Sequence, residues 1–482
     1  MGRTNADGES KIEKVNADGM YKAEKMTPDA QARYDKMTTK PVEGLILSMA
    51  VPAICSMIIT SLYSFADTYF VSQLGTSAQA APGIAQPLFL IIQAVSLTFA
   101  VGAGSVVARK LGEQENEEAD KVTTTAFFLA VIVGTVIGGI SLAFLEPMMV
   151  LFGATPTILP FAYDYAFYVI LATPFFSATF VLSFVIRGEG NAKLSVFGTV
   201  LGAAVNIVLD PVFIFGLHMG IKGAAIATSI SQIVSFAVLF GYMMKGRCIT
   251  RIKRRYFTLQ PKLLAEIVKI GSPDFFRTCL SSVAGIMLNN AAMPFGDATL
   301  AGMTVVTRII NILVGIMQGF GQGYQPVCGY CFGAKRYGRV KEGLWFTMRT
   351  ALVTITLIAL GGCVFARQIM KIFQPEDEEF IRTGVLILRS QLLVLIPATV
   401  TITANMLFQS CGKALQSSVL ALSRNGIFFI PLIITLPGLF GLYGVIAAQP
   451  VSDIITFLIS LPMLYLVLRE MTRLEEKTGI EN

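Results

Sequence analysis

The sequence predicts an all-α integral membrane protein with about twelve transmembrane helices in two six-helix bundles related by a pseudo-two-fold axis. Three observations predict this architecture. Hydrophobic residues make up 54% of the chain and charged residues only 14%, whereas a soluble domain carries about 25% charged residues. Long apolar runs recur from Leu45 to the end of the chain, and each reaches the ~20 residues that a helix needs to cross a bilayer. Short motifs also recur at one constant spacing.

The apolar runs are long and continuous, which favours helices over the alternating strands of a membrane barrel. The predicted spans of the first half are 45–66, 82–107, 124–145, 161–186, 194–215 and 221–244. Those of the second half are 263–291, 298–332, 343–366, 383–411, 414–436 and 442–468.

The segments outside these bundles are polar. Residues 1–43 mix Lys, Glu and Asp without an apolar core, so they do not form a signal peptide. We interpret them as a mostly disordered cytoplasmic tail with one short helix around "PDAQARYDKM". The predicted domains are therefore the tail 1–43, a bundle 44–244, a basic cytoplasmic linker 245–262, a bundle 263–469 and a cytoplasmic tail 470–482.

The net charge of +7 is concentrated in alternate loops. Basic residues fill the loops at 109–121, 187–193, 245–262 and 335–341, while the loops between them are poor in Lys and Arg. The loop after residue 366 is the exception, because its basic residues are offset by acidic ones. This positive-inside pattern predicts a multi-pass protein of the cell membrane with both termini in the cytoplasm, and it argues against a nucleic-acid partner.

The two halves repeat each other. Pro52 corresponds to Pro273, a shift of 221 residues (273 − 52), and "GAGSVVARKLG" corresponds to "GYQPVCGYCFG" at the same shift. Because six helices separate the copies, the repeats are parallel, as in one class of transporters whose substrate sites lie near the midplane. The pairs "GTVIG" (134–138) and "GTVLG" (198–202) predict close helix contacts.

Motifs for enzymatic chemistry are missing from the sequence. It contains no P-loop, HExxH or GxSxG pattern. The lone "CGYC" at 328–331 has no second cysteine pair and no nearby His, so we interpret its cysteines as small helix residues rather than metal ligands. The prediction is a protein that is not an enzyme, has no catalytic residue and no cofactor, and draws energy from an ion gradient or a partner protein.

Ionisable residues inside the spans are few, and each marks a candidate functional position because burying its charge in a membrane is costly. The clearest are Asp67, Asp210, Arg308, Arg424 and Asp453.

Two groups of these residues predict an oxygen-lined site. Thr60, Tyr63 and Asp67 share one helix face, and Tyr63 is placed to hydrogen-bond Asp67. Asn206 and Asp210 are four residues apart and also share a face. Pro211 lacks an N–H and so frees the carbonyl of Ile207. Carboxylate, amide and hydroxyl oxygens together suit a small cation or a shared proton.

Structural interpretations stand beside the functional ones. Asp67 and Asp210 both lie near predicted helix ends, where interfacial carboxylates are ordinary, and Asn206 is of a type that joins membrane helices. Arg424 and Asp453 are candidates for a helix–helix contact in the second half. His218 falls in an outer loop and is expected to be exposed.

Three long stretches carry a family resemblance: "SLYSFADTYFVSQLG", "VIRGEGNAKLSVFGTVLGAAVNIVLDPVFIFGLHMGIKGAAIATSISQ" and "GFGQGYQPVCGYCFGAKRYGRV". They resemble the multidrug and toxin extrusion (MATE) family, and in particular its DinF/MepA-like branch. The resemblance covers nearly everything after residue 40. It implies the MATE fold, with two bundles around a central cleft, and export of organic cations and amphipathic drugs in exchange for Na⁺ or H⁺.

The resemblance also implies a site. In this branch a cation site in the first half uses an Asp on the first helix, an Asn and an Asp on the fifth and a Thr on the sixth. These match Asp67, Asn206, Asp210 and Thr228, and a helix-bending proline matches Pro52. The other branch has an acidic site in the second half. In this sequence the eighth span supplies Gln318, Gln322 and Gln325 and no carboxylate for such a site.

The expected function is thus a cation-coupled antiporter that exports amphipathic or cationic small molecules by alternating access. Candidate cleft residues are Met57, Thr60, Tyr63, Ser183, Met287 and Gln318. The expected partners are these substrates and membrane lipids, and the expected state is a monomer. Two alternatives stay open: a lipid or oligosaccharide flippase of the same superfamily, for which Arg308 is the main cationic candidate, and a membrane sensor or scaffold without transport.

Overall fold

The structure, a computed structural model, describes residues 28–478, and helices account for most of them. In chain order the helices are α1 (Pro28–Thr39), α2 (Val42–Ser72), α3 (Thr76–Gly112), α4 (Asn116–Ala143), α5 (Leu145–Leu151), α6 (Leu159–Leu171), α7 (Thr173–Gly188), α8 (Ala192–Pro211), α9 (Ile221–Met244), α10 (Pro261–Ala292), α11 (Asp297–Gly333), α12 (Tyr337–Val364), α13 (Ala366–Phe373), α14 (Glu378–Ser410), α15 (Ala414–Leu422), α16 (Phe429–Phe440) and α17 (Leu442–Thr478). A π-helical turn at Val212–Gly216 continues α8, and another at Ser423–Ile427 joins α15 to α16.

These helices form the predicted twelve spans. Among residues 28–478, ten helices are long and apolar enough to cross a membrane, and the pair α6–α7, bent by 50°, makes an eleventh span. The bend falls where Pro174, in the first turn of α7, cannot donate a backbone hydrogen bond. Helix α10, which has 32 residues and carries charged side chains in its first half, corresponds to the twelfth predicted span. The predicted fold class is therefore confirmed.

The basic loops meet at one end of the molecule, which we refer to as the basic end. The backbone N–H of Arg251 in the linker donates to Asp120 Oδ1 at 2.7 Å, and the hydroxyl of Tyr330 donates to the carbonyl of Glu189 at 3.4 Å. Glu189 is fully buried and accepts hydrogen bonds from the backbone N–H groups of Ile249 and Thr250, both at 2.9 Å. Burial raises the pKa of Glu189, and these hydrogen bonds oppose the rise.

The hydrophobic cores show where the halves are joined. One core belongs wholly to the first half, between Val71 and Ala225, and another wholly to the second half, between Ala284 and Ala448. The largest core draws on both halves and includes Met49, Val106 and Tyr324 near the basic end. The halves are thus packed together at the basic end, whereas toward the opposite end each half has its own core.

Two glycines bring α3 of the first half close to α10 of the second half, and we refer to the contact between the halves as the seam. A Cβ at Gly102 of α3 would overlap the carbonyl oxygen of Ile267 on α10, and a Cβ at Gly271 of α10 would overlap that of Thr98 on α3. The contact is reciprocal, so the two helix backbones touch at both points. The glycine pairs predicted to pack closely do so as well, because Gly134 contacts Ser177 and Gly202 contacts Ser235.

The segment before the first span is not a simple tail. Helix α1 confirms the short helix predicted near residue 28. It packs against α11 of the second half, and Met37 and Thr38 in its last turn are fully buried. Arg336 Nη1 donates to the carbonyl of Thr38 at 2.8 Å, which satisfies a free carbonyl at the helix end. Residues 1–27, the rest of the predicted tail, lie outside the described residues.

The other terminus also differs from the predicted tail at 470–482. Helix α17 continues through Thr478, Met471 is buried in the shared core, and Lys341 Nζ lies 2.5 Å from Glu475 Oε2. The last turns of α17 are therefore part of the packed basic end. Residues 479–482 lie outside the described part of the chain.

The reciprocal glycine contact leads to a prediction for Gly271→Ala. The added methyl meets backbone, which cannot move aside, so we expect ~1–3 kcal/mol of bias against the conformation closed at the basic end. Double electron–electron resonance measures the distance between spin labels at Lys193→Cys and Leu415→Cys in a cysteine-free background. Gly271→Ala should show longer distances than the protein with Gly271. Gly285→Ala on the same helix is the control, because a Cβ there meets nothing within 4 Å. Matching distance distributions for the two variants would contradict the prediction.

Candidate cation site

Three helices of the first half bring the predicted cation ligands together. Asp67 lies near the end of α2, Asn206 and Asp210 lie on the last turns of α8, and Thr228 lies on the second turn of α9. Helices α8 and α9 are packed side by side, and the π-helical turn after Pro211 leads from one toward the other. A π-turn of this kind is often found at functional sites. The four residues thus lie toward the end where the halves have separate cores.

Asn206 is the centre of the hydrogen bonding. Its Nδ2 donates to Asp210 Oδ1 at 3.2 Å and to Thr228 Oγ1 at 3.4 Å. Asn206 and Asp210 are 1% and 0% exposed, so neither side chain has water as an alternative partner. The i, i+4 spacing read from the sequence therefore places an amide donor against a carboxylate, and the contact to Thr228 joins α8 to α9.

Three oxygens at this site have no donor. Asn206 Oδ1, Asp210 Oδ2 and Asp67 Oδ1 are buried atoms without a hydrogen-bond partner. Leaving a buried acceptor unsatisfied costs ~1–3 kcal/mol, and more for a charged group. Such atoms are rare in native structures and call for a specific explanation. Here all three come from residues that the sequence assigned to one site.

The chemistry of these oxygens fits a hard cation or protons. Two carboxylates and an amide oxygen are acceptors only, so a group that satisfies them must bring positive charge or O–H donors. The carboxylates of Asp67 and Asp210 are close enough to interact electrostatically. Each of them also interacts with the phenols of Tyr63 and Tyr165. Among residues 28–478, no three His, Cys, Asp or Glu side chains converge as they do in transition-metal sites.

Some details differ from the sequence predictions. Within residues 28–478, Tyr63 makes no side-chain hydrogen bond to Asp67. Tyr165 was missed, since a tyrosine in the apolar run of α6 carries no sequence signal for a site on α8. Pro52 lies inside α2, which runs without interruption from Val42 to Ser72, and the bend expected there stays a prediction.

The candidate cleft residues divide into two groups. Met57 is partly buried at the seam, where it contacts Gly315 of α11, and Thr60, Tyr63 and Gln318 are at least partly exposed. Ser183 is instead buried between α7 and α8, with its Oγ 2.8 Å from Ser195 Oγ, so it cannot line the cleft.

Met287 completes the set of cleft candidates. It packs against the core of the second half and is better explained by helix packing than by substrate contact. His218 is exposed, as predicted.

The second half contains a buried ion pair between Arg424 and Asp453. Arg424 donates from Nε to Asp453 Oδ1 at 2.8 Å and from Nη2 to Asp453 Oδ2 at 3.2 Å, and Gln449 adds a third donor at 2.9 Å. This confirms the helix–helix contact that the sequence offered as one interpretation. Unlike Asp210, Asp453 has its donors already, so it does not resemble an ion site.

A second polar network was not foreseen. Gln325 donates to Gln409, which donates to the buried Asp274 at 2.7 Å. Arg187, which the sequence placed in a basic loop, is buried at the end of α7 and donates to Gln322 of the second half. Gln322 and Gln325 of α11 therefore join neighbouring helices, and neither supplies a carboxylate for a cation site in the second half.

Comparisons with known proteins agree with this architecture. A family model described as MatE matches residues 52–212 and again residues 273–435. The two matches begin 221 residues apart (273 − 52), the same shift as the repeated motifs. Two repeated helical bundles in a membrane, with a polar site inside one of them, define a multi-pass transporter rather than an enzyme. The chain belongs to the MatE family.

Individual relatives are distant but cover most of the chain. Multidrug export protein MepA of Staphylococcus aureus (strain MSSA476) is 24% identical over 433 residues, 90% of this chain and 95% of that protein. MepA of Staphylococcus haemolyticus (strain JCSC1435) is 24% identical over 88% of this chain and 94% of that protein. Solved structures of a MATE protein in the straight and the bent conformation are 24% identical with a TM-score of 0.86. They cover 93% and 95% of this chain and 100% of each solved chain.

The contrast between Asp210 and Asp453 leads to a stability prediction. Asp453→Asn should lower the free energy of unfolding by ~3–5 kcal/mol, because it leaves the Arg424 guanidinium without its counter-charge. Asp210→Asn removes a carboxylate whose Oδ2 lacks a donor, so stability should be unchanged or higher. Thermal unfolding of the purified protein in detergent, at alkaline pH without Na⁺, compares the two variants. Equal losses in Tm would show that Asp210 is a structural residue.

Proposed function

We propose that this protein is a cation-coupled antiporter that exports organic cations, drugs and other amphipathic compounds across the cell membrane by alternating access. The coupling ion is Na⁺ or H⁺, and it binds at Asp67, Asn206, Asp210 and Thr228.

One observation carries the proposal: three buried oxygens in this set have no donor. A structural role would leave these groups paired, as Arg424 and Asp453 are. A site that alternates between a bound and a released cation must instead leave its acceptors free when the cation departs. The cost of the free acceptors is then part of the driving force for binding the next cation.

The position of the site supports exchange with the open end. Asp67 and Asp210 lie at the ends of α2 and α8 that are remote from the basic end, where the halves share no core. If the basic end is cytoplasmic, as the positive-inside pattern predicts, the cleft faces outward. A cation from outside then reaches the site while the cytoplasmic side is closed.

The exchange itself follows from charge. Binding of Na⁺ or H⁺ neutralises the carboxylates and removes the attraction that an organic cation finds in the open cleft. Substrate and coupling ion therefore weaken each other's binding, and this coupling is reciprocal. Helix α2 carries both Asp67 and Pro52 and packs on α11 at the seam, so a change at the site is transmitted to the contact between the halves.

The substrate class rests on two supports. The matched relatives are named multidrug export proteins. The seam residue Met57 and the exposed face with Thr60 and Tyr63 offer adaptable apolar and polar contacts of the kind that promiscuous sites use. The flippase alternative is not favoured, since Arg308, its main candidate, lies over the Phe65 ring at 5.9 Å.

Transport in proteoliposomes tests this function. We expect an imposed Na⁺ or H⁺ gradient to drive ethidium out of its loaded compartment, and each gradient imposed alone identifies the ion. Asp67→Asn and Asp210→Asn should each abolish most of the gradient-driven efflux, because they remove a coupling between two ligands that is typically worth about 5–150-fold in binding affinity.

Asp164→Asn serves as the matched control, because Asp164 lies in the same half but pairs with Lys222 at 3.3 Å. It should transport at the rate of the unmodified protein. An Asp210→Asn protein that drives ethidium efflux at full rate would contradict the proposed site.

A further inference from the structure

A cavity of about 330 Å³ opens on the outer surface of the molecule, away from the cation site. Its lining residues are Glu43, Glu342, Trp345, Phe346 and Arg349. Glu43 lies in the first turn of α2 and so belongs to the first half, whereas the other four share one face of α12 in the second half. This lateral cavity therefore lies across the seam between the halves.

The sequence around the cavity is typical of the level of lipid headgroups. Residues 350–366 contain no charged side chain, a stretch of about 26 Å at 1.5 Å per helical residue, which is close to the thickness of the hydrocarbon core. Arg349 is the last charge before this stretch. Trp345, one turn away, is exposed, as is typical of tryptophan at a membrane interface.

The charges in the lateral cavity are unused. Within residues 28–478, Glu43, Glu342 and Arg349 form no ion pair and no side-chain hydrogen bond with the protein, although other charges at the basic end are paired. Two carboxylates and one guanidinium around a single cavity complement a ligand that carries both an ammonium group and a phosphate. Arginine suits the phosphate because its planar donors match the phosphate oxygens.

Apolar tracks lead from the cavity into the membrane. Leu47 and Val51 follow Glu43 on one face of α2, and Val353 follows Arg349 on α12. All three are exposed, and at this level the halves are closed on a shared core, so these side chains face hydrocarbon rather than the cleft. A ligand that fits has a charged head in the cavity and acyl chains along these tracks.

We propose that a phospholipid with a primary ammonium headgroup, phosphatidylethanolamine, binds in the lateral cavity. Its ammonium group donates hydrogen bonds to Glu43 and Glu342, and its phosphate accepts from Arg349. Phosphatidylcholine has no N–H to donate, and phosphatidylglycerol has no cation for the carboxylates, so both bind less well. The lipid bridges α2 and α12 and thereby stabilises the conformation closed at the basic end. This last consequence rests on the proposed alternating access, whereas the binding itself does not.

The protein contains its own reporter for this site, because Trp345 is the single tryptophan of the chain. Bromine atoms on acyl chains quench a neighbouring indole. The full-length protein is reconstituted in phosphatidylglycerol with equal mole fractions of brominated phosphatidylethanolamine or brominated phosphatidylcholine. We expect the ethanolamine lipid to bind about fivefold more strongly, the ratio expected for a gained hydrogen bond.

The double variant Glu43→Gln/Glu342→Gln should lose this preference and be quenched equally by both lipids. Glu376→Gln, an exposed carboxylate in the loop between α13 and α14, is the matched control and should keep it. The emission maximum and the size-exclusion profile report whether each variant is folded. Because quenching needs no transport, failure of this proposal is distinguishable from failure of the antiport.

Two results would overturn the proposal. Equal quenching of the unmodified protein by the two lipids would show that the cavity does not select the headgroup. Loss of the ethanolamine preference on adding tetraphenylphosphonium, which has no phosphate, would show instead that the cavity is a site for organic cations. Persistence of the preference in its presence supports the lipid.

Discussion

The structure depends on an electrostatic constraint: two carboxylates lie inside a membrane bundle without enough donors to satisfy them. Asp210 receives one hydrogen bond, from Asn206, and its second oxygen has none; Asp67 also has an unpartnered oxygen. Under the proposed function, a bound cation or proton supplies the positive charge that these oxygens lack. The remaining features of the fold place this site in the first half, toward the end where the halves have separate cores, and connect it to the seam between the halves.

The seam gives the constraint its mechanical consequence. Glycines at 102 and 271 let α3 and α10 touch through their backbones, and the shared core keeps the basic end closed. At the opposite end each half has its own core. A molecule held together at one end and divided at the other is compatible with the alternating access proposed above. Close backbone contact also makes the closed arrangement intolerant of small changes, since interiors are densely packed.

Much of this was predictable from sequence. Apolar runs give the spans, because the bilayer fixes their length, and the shift of 221 residues gives the two halves. The i, i+4 spacing of Asn206 and Asp210 places them together, since helical geometry is regular. The orphaned oxygens were not predictable, because donors come from other helices. Ser183 shows the same limit: it was a candidate for the cleft, but its hydrogen-bond partner Ser195 lies on the neighbouring helix.

The central claim is that a cation at Asp67 and Asp210 excludes the organic substrate. Equilibrium binding of ethidium to the purified protein, followed by its fluorescence while Na⁺ concentration and pH are varied separately, tests it most directly. Ethidium affinity should fall as one of these cations increases, and the fall should disappear in the Asp67→Asn/Asp210→Asn double variant. Ethidium affinity that is independent of both Na⁺ and pH in the unmodified protein would contradict it.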